Sequence, residues 1–139
     1  MTTEDEYAAL SKLMMRAAKA GDVAGIRALL DQDASLASAC DGDGSTALHY
    51  AAWKGHPDAA AVLLDHGADI QAKNQNGHWG DSPLHAAAHG NQKAVAELLI
   101  ERGADIRALN AAGRTPLGET AAHKATAVAN LLKRHGATE

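Results

Sequence analysis

Three short strings of this chain, Thr46-Ala47-Leu48-His49, Ser82-Pro83-Leu84-His85 and Thr115-Pro116-Leu117-Gly118, each open a segment that closes on a glycine, at Gly67, Gly103 and Gly136. The steps from Leu48 to Gly67, from Leu84 to Gly103 and from Leu117 to Gly136 are equal, whereas Leu48 to Leu84 is a longer step than Leu84 to Leu117. An eroded copy centred on Met14 precedes Leu48 by a step between those two. The units therefore keep internal register and only their connectors vary. A unit of this size cannot cover its own apolar face, so its repetition specifies supersecondary units stacked side by side around a shared seam.

Each unit reads as two helices. Thr46, Ser82 and Thr115 are placed to cap a helix with a hydroxyl, and Pro83 and Pro116 occupy the first helical position, where a missing N–H costs nothing. Apolar residues then recur at helical spacing (Leu48, Ala51, Ala52) until Gly55 breaks the run. A second helix starts near Pro57 and carries Ala60, Val62, Leu63 and Leu64 to Gly67, which suits the left-handed conformation after a helix end. In the third unit Asn91 falls where Gly55 stands, and Asn is the next most tolerant residue of that conformation. The pairs Ala17-Ala18, Ala51-Ala52, Ala87-Ala88 and Thr120-Ala121 let neighbouring first helices approach closely, with leucines filling the layer between.

The Thr-Pro-Leu-His-x-Ala pattern and a period of about 33 resemble the ankyrin repeat, over nearly the whole chain. The resemblance implies an all-α solenoid of about four helix-turn-helix units joined by hairpin loops. It also implies that His49 and His85, in the signature position, hydrogen-bond backbone around the neighbouring loop, with Met15 and Gly118 lacking that bond in the terminal units. We expect one domain over residues 1–139: an N-terminal cap at 4–40, central units at 41–73 and 74–109, and a C-terminal cap at 110–139. Polar Glu4, Glu6, Lys12 and Arg16 at one end and Lys133 at the other read as sealed faces, hence as the ends of a complete array.

Composition narrows the function. No stretch approaches the roughly 20 apolar residues a membrane helix needs, and the acidic start Met1-Thr2-Thr3-Glu4-Asp5-Glu6 is unlike a secretory signal. With a single cysteine, Cys40, a cytoplasmic location is expected. A net charge of −4 with scattered Lys and Arg argues against nucleic acid as a partner. No nucleophile elbow or phosphate loop is present, so no enzymatic activity, catalytic residue or cofactor is expected. His85 and His89 have the spacing of a zinc-peptidase pair, yet Ala86 stands where the general-base glutamate belongs, and no metal site is assigned.

What remains is recognition. Ankyrin-like slabs bind proteins through a concave side made of hairpin tips and exposed positions of the first helices. Carried onto this chain, those positions include Asp43, Ser45, Trp53, Lys54, Lys73, His78, His89, Leu109, Arg114 and His123. Only four residues are aromatic, and Trp53 falls on this face, which favours a contact role. The step from Ile70 to Leu84 exceeds the corresponding step from Ile106 to Leu117 by three positions, an insertion around His78-Trp79-Gly80-Asp81. A longer loop carrying a tryptophan suits contact as well. The expected partner is another protein, bound by a monomer through Trp53, Lys54, His78, Trp79, Asp81, His89 and Arg114. Two alternatives stand beside this reading: a metal- or pH-sensing protein using His78, His85, His89 and His123, and a self-associating module.

Overall fold

The computed structural model describes residues 3–74 and 81–138. Among these, eight α-helices follow one another: α1 (Glu4–Ala20), α2 (Val23–Gln32), α3 (Ala47–Lys54), α4 (Pro57–Asp65), α5 (Pro83–His89), α6 (Lys93–Glu101), α7 (Pro116–His123) and α8 (Thr126–Arg134). They form two rows. In the first, α1, α3, α5 and α7 pack in chain order; in the second, α2, α4, α6 and α8 do the same, and each odd helix packs on the even helix that follows it. The described residues contain no strand, only an isolated antiparallel bridge between Cys40 and Thr46. One element escaped the reading of the sequence, a 3-10 turn at Ala34–Ser38 that buries Leu36 and Ala37 beneath the first unit.

The caps work as their residues require. Thr46 and Ser82 accept from the backbone N–H of His49 and His85, and each histidine side chain returns a bond to the cap's own backbone, a reciprocal box at the start of α3 and of α5. Thr115 accepts from the N–H of Gly118, where no side chain can return the bond. The turn between the two helices needs one left-handed residue per unit. Gly21 (φ 71°), Gly55 (φ 81°), Asn91 (φ 54°) and Lys124 (φ 54°) supply it at matching positions. Gly90 has another function: a Cβ there would lie 2.5 Å from the carbonyl oxygen of Trp53, so its missing side chain lets α5 close on α3.

The shared seam is built from equivalent residues. Met14, Leu48, Leu84 and Leu117 are buried in the first row, and Leu29, Leu63, Leu99 and Leu132 in the second. Ala18, Ala52 and Ala88 are fully buried between first helices, whereas Ala121 in the same position is exposed. No described helix packs on the far side of α7, so the small residue there has no neighbour to admit. Polar side chains also tie each unit to the one before it. The imidazole Nε2 of His56 bonds the carbonyl of Lys19 at 2.9 Å, and Gln92 Nε2 donates to the carbonyl of Trp53 at 3.2 Å. Both donate to a last-turn carbonyl that a helix end leaves without an intrahelical partner.

Candidate functional site

The connecting hairpins are organised by one side chain each. The Asp41 carboxylate accepts from the N–H groups of Asp43 and Ser45, and the Asn110 side-chain oxygen does the same for Ala112 and Arg114. Between these hairpins and the first helices run the two signature histidines. His49 Nδ1 takes the N–H of Thr46 at 3.1 Å, so its proton is on Nε2, which donates to the carbonyl of Asp81 at 2.7 Å. His85 repeats the pattern with Ser82 and the carbonyl of Arg114 at 2.9 Å. Burial lowers the pKa of both imidazoles, keeping them in the neutral form that these bonds use. Helices α3 and α5 are thereby each fastened to the hairpin of the next unit, as the family resemblance implied.

In the fourth unit no such histidine exists, and Glu119 instead bonds α7 to the hairpin that precedes it. It is buried, and its Oε1 accepts from Asn110 Nδ2 at 3.1 Å and lies 3.4 Å from Arg114 Nη1. Nothing in the repeat pattern singles this glutamate out, because it stands one residue beyond the signature position, which is Gly118.

The C-terminal ends of α3, α5 and α7 carry a row of rings. Lys54 Nζ lies 4.3 Å over the ring of Trp53; Trp53 meets His89 edge-on with centroids 6.4 Å apart; the tilted rings of His89 and His123 have centroids 3.9 Å apart. The repeat offset explains the alignment, since Trp53 and His89 are separated by the same step along the chain as Leu48 and Leu84. Trp53 is 37% exposed and forms one wall of a pocket of about 170 Å³ lined also by Asp43, Ser45, Tyr50, Asn74 and Ala86. Tyr50 donates to Asp41, and burial followed by that carboxylate raises its pKa to about 12.

Of the residues expected to meet a partner, the structure brings Trp53, Lys54 and His89 together on one face. Arg114 is exposed nearby, at the end of the hairpin before α7. Asp81 is a correction. It is 2% exposed, at the floor of the pocket, because its backbone pairs with Asn74 and its carbonyl receives His49. Its Oδ1 has no partner among the described residues, and burial lifts its pKa to about 7 against a hydrogen bond from Asn110. Its place in the inserted loop made Asp81 an expected contact residue, but its backbone pairs across the hairpin with Asn74. His78 and Trp79 lie outside the described residues. Of the four histidines in the sensing alternative, His85 is committed to structural bonds through both nitrogens, while His89 and His123 touch.

No described helix is long and apolar enough to cross a membrane. A family model for ankyrin repeats (3 copies) matches residues 5–74 and 71–138. The chain is similar to a transient receptor potential cation channel subfamily A member 1 homolog of Caenorhabditis elegans, 46% identical over 71 residues that make up 51% of this chain and 6% of that protein. It is also similar to potassium channel AKT3 of Oryza sativa subsp. japonica, 39% identical over 61 residues, 44% of this chain and 7% of the channel. Ankyrin repeat domain-containing protein 49 of Bos taurus matches at 39% over 62 residues, 45% of this chain and 26% of that protein. The chain thus spans a small part of the length of each of these relatives.

Proposed function

We propose that this chain, which belongs to the ankyrin repeat family, acts without catalysis as a scaffold that binds another protein through the face made by α3, α5, α7 and the hairpins before them. Ankyrin repeats are generally modules of protein-protein interaction. The observation that carries the reading is the row of exposed Lys54 and Trp53 with half-buried His89 beside a shallow pocket. A tryptophan left partly in water, with a cation over its ring and fixed by a bond to its own carbonyl from Gln92, is a preorganised anchor of the kind that dominates interfaces. Leu109, 54% exposed in the hairpin before α7, adds apolar area, and Arg114 supplies a charge at the rim. Binding as a monomer in the cytoplasm belongs to the same proposal, as does a contact by His78 and Trp79.

The test is quantitative affinity capture with wild-type protein and with Trp53→Ala and Arg114→Ala variants, whose thermal midpoints are measured alongside. Trp53→Ala is expected to lose the captured proteins by more than about tenfold, the scale of a hot spot, with its midpoint little changed. Equal recovery of the same proteins by a folded Trp53→Ala variant overturns the assignment of this face.

A further inference from the structure

His89, Glu119 and His123 place one ligand atom each within 4.8 Å of one another. We propose that these three side chains form a zinc site that clips the third unit to the fourth, with a fourth coordination position facing solvent on the first-helix face.

The donor set favours a transition metal of the zinc type over calcium or magnesium. Two imidazole nitrogens and one carboxylate oxygen are a zinc set, whereas calcium and magnesium take oxygen ligands. Three protein ligands with an open fourth position are the pattern of zinc sites that bind an exchangeable molecule. Tetrahedral zinc with bonds of about 2.0–2.1 Å needs donors about 3.3 Å apart. His123 Nε2 and Glu119 Oε2 are already at 3.6 Å, four residues apart on one face of α7. His89 ends the neighbouring helix α5 and already has a ligand atom within 4.8 Å of the other two, so side-chain rotation closes the set.

The surroundings fit a ligand set. Glu119 is 6% exposed, and Asn110 holds its Oε1 at 3.1 Å, which leaves Oε2 directed towards His123. A carboxylate oriented by a hydrogen bond to its other oxygen is what supports metal ligands. Arg114 Nη1 lies 3.4 Å from Oε1 and opposes a cation, but its side chain is 51% exposed and can withdraw into water. The pair suggested by sequence, His85 and His89, is not this one: the second ligand helix is α7, and the i,i+4 pair on it is Glu119 and His123. The site does not depend on the protein-binding reading, since free protein should bind zinc.

The experiment is calorimetric titration of tag-free, chelator-stripped protein with zinc chloride, repeated with cobalt(II) chloride to read its ligand-field absorption. One zinc per chain is expected, with a tetrahedral cobalt spectrum and a raised thermal midpoint. His123→Gln, an exposed substitution that leaves the fold intact, and Glu119→Gln, which keeps an acceptor for Asn110, are each expected to weaken binding by at least about tenfold. Absence of saturable zinc binding overturns the proposal, and so does binding that survives His123→Gln undiminished. If Glu119→Gln lowers the midpoint of the metal-free protein, His123→Gln alone decides.

Discussion

Asp81 and the two signature histidines answer to pH in opposite senses. For Asp81 the folded pKa near 7 lies above its ordinary value of 3.8, so its contribution to stability is full below about pH 4 and is lost as pH rises through 7. His49 and His85 have folded pKa values below 6.5, so their contribution is full above that value and is lost as pH falls. The two trends oppose each other below pH 6.5, where both groups respond. Asp81→Asn removes the first: the variant should gain a few kcal/mol at pH 8, where the wild type must bury a charged carboxylate, and its stability should rise with pH from 5 to 7. Urea denaturation across that range checks both signs, and an unchanged pH profile would contradict the burial of this side chain. At this scale the sequence was legible where the repeat constrained it and silent elsewhere. His49 and His85 follow from their place in the signature, whereas Asp81 and Glu119 are buried by contacts with residues 7 and 9 positions away in hairpins, which composition does not reveal.

The helices test the packing argument directly. Thr46 caps α3 and bonds the ring of His49, which in turn holds the next hairpin. Thr46→Ala should therefore cost about 1 kcal/mol, the scale of a simple cap, because the backbone N–H of residue 46 still satisfies the Nδ1 of His49. Gly90→Ala places a methyl against the Trp53 carbonyl and should destabilise by about 1–3 kcal/mol, although φ of −86° would itself accept alanine. Thermal unfolding of both variants separates these effects from propensity, since alanine favours helix over either original residue. The helix starts were readable from Thr46, Ser82 and Thr115 because capping is local chemistry. The reason for Gly90 was not, because it lies on another helix.

Over the whole molecule stability should reside in the contacts between neighbouring units. Leu84 is 1% exposed in the middle of the first row, and Leu84→Ala should cost about 2–5 kcal/mol, read as a lower urea midpoint. Deleting residues 110–138 uncovers the apolar side of α5 and α6 and should lower the midpoint of what remains, with increased binding of a hydrophobic dye. A deletion that left the midpoint unchanged would mean that the units do not share a seam. The sequence by itself determined the class of fold, since a period of about 33 with caps, breaks and leucines in register admits few other solutions. It also determined that Trp53 and Lys54 face outwards at the end of their helix. Only the tertiary structure decided that Trp53, His89 and His123 form one continuous row, that Asp81 is inside, and that Glu119 stands beside His123. Those facts depend on distances between units, which vary with each connector and each small side chain in the seam, and local pattern carries no measure of them.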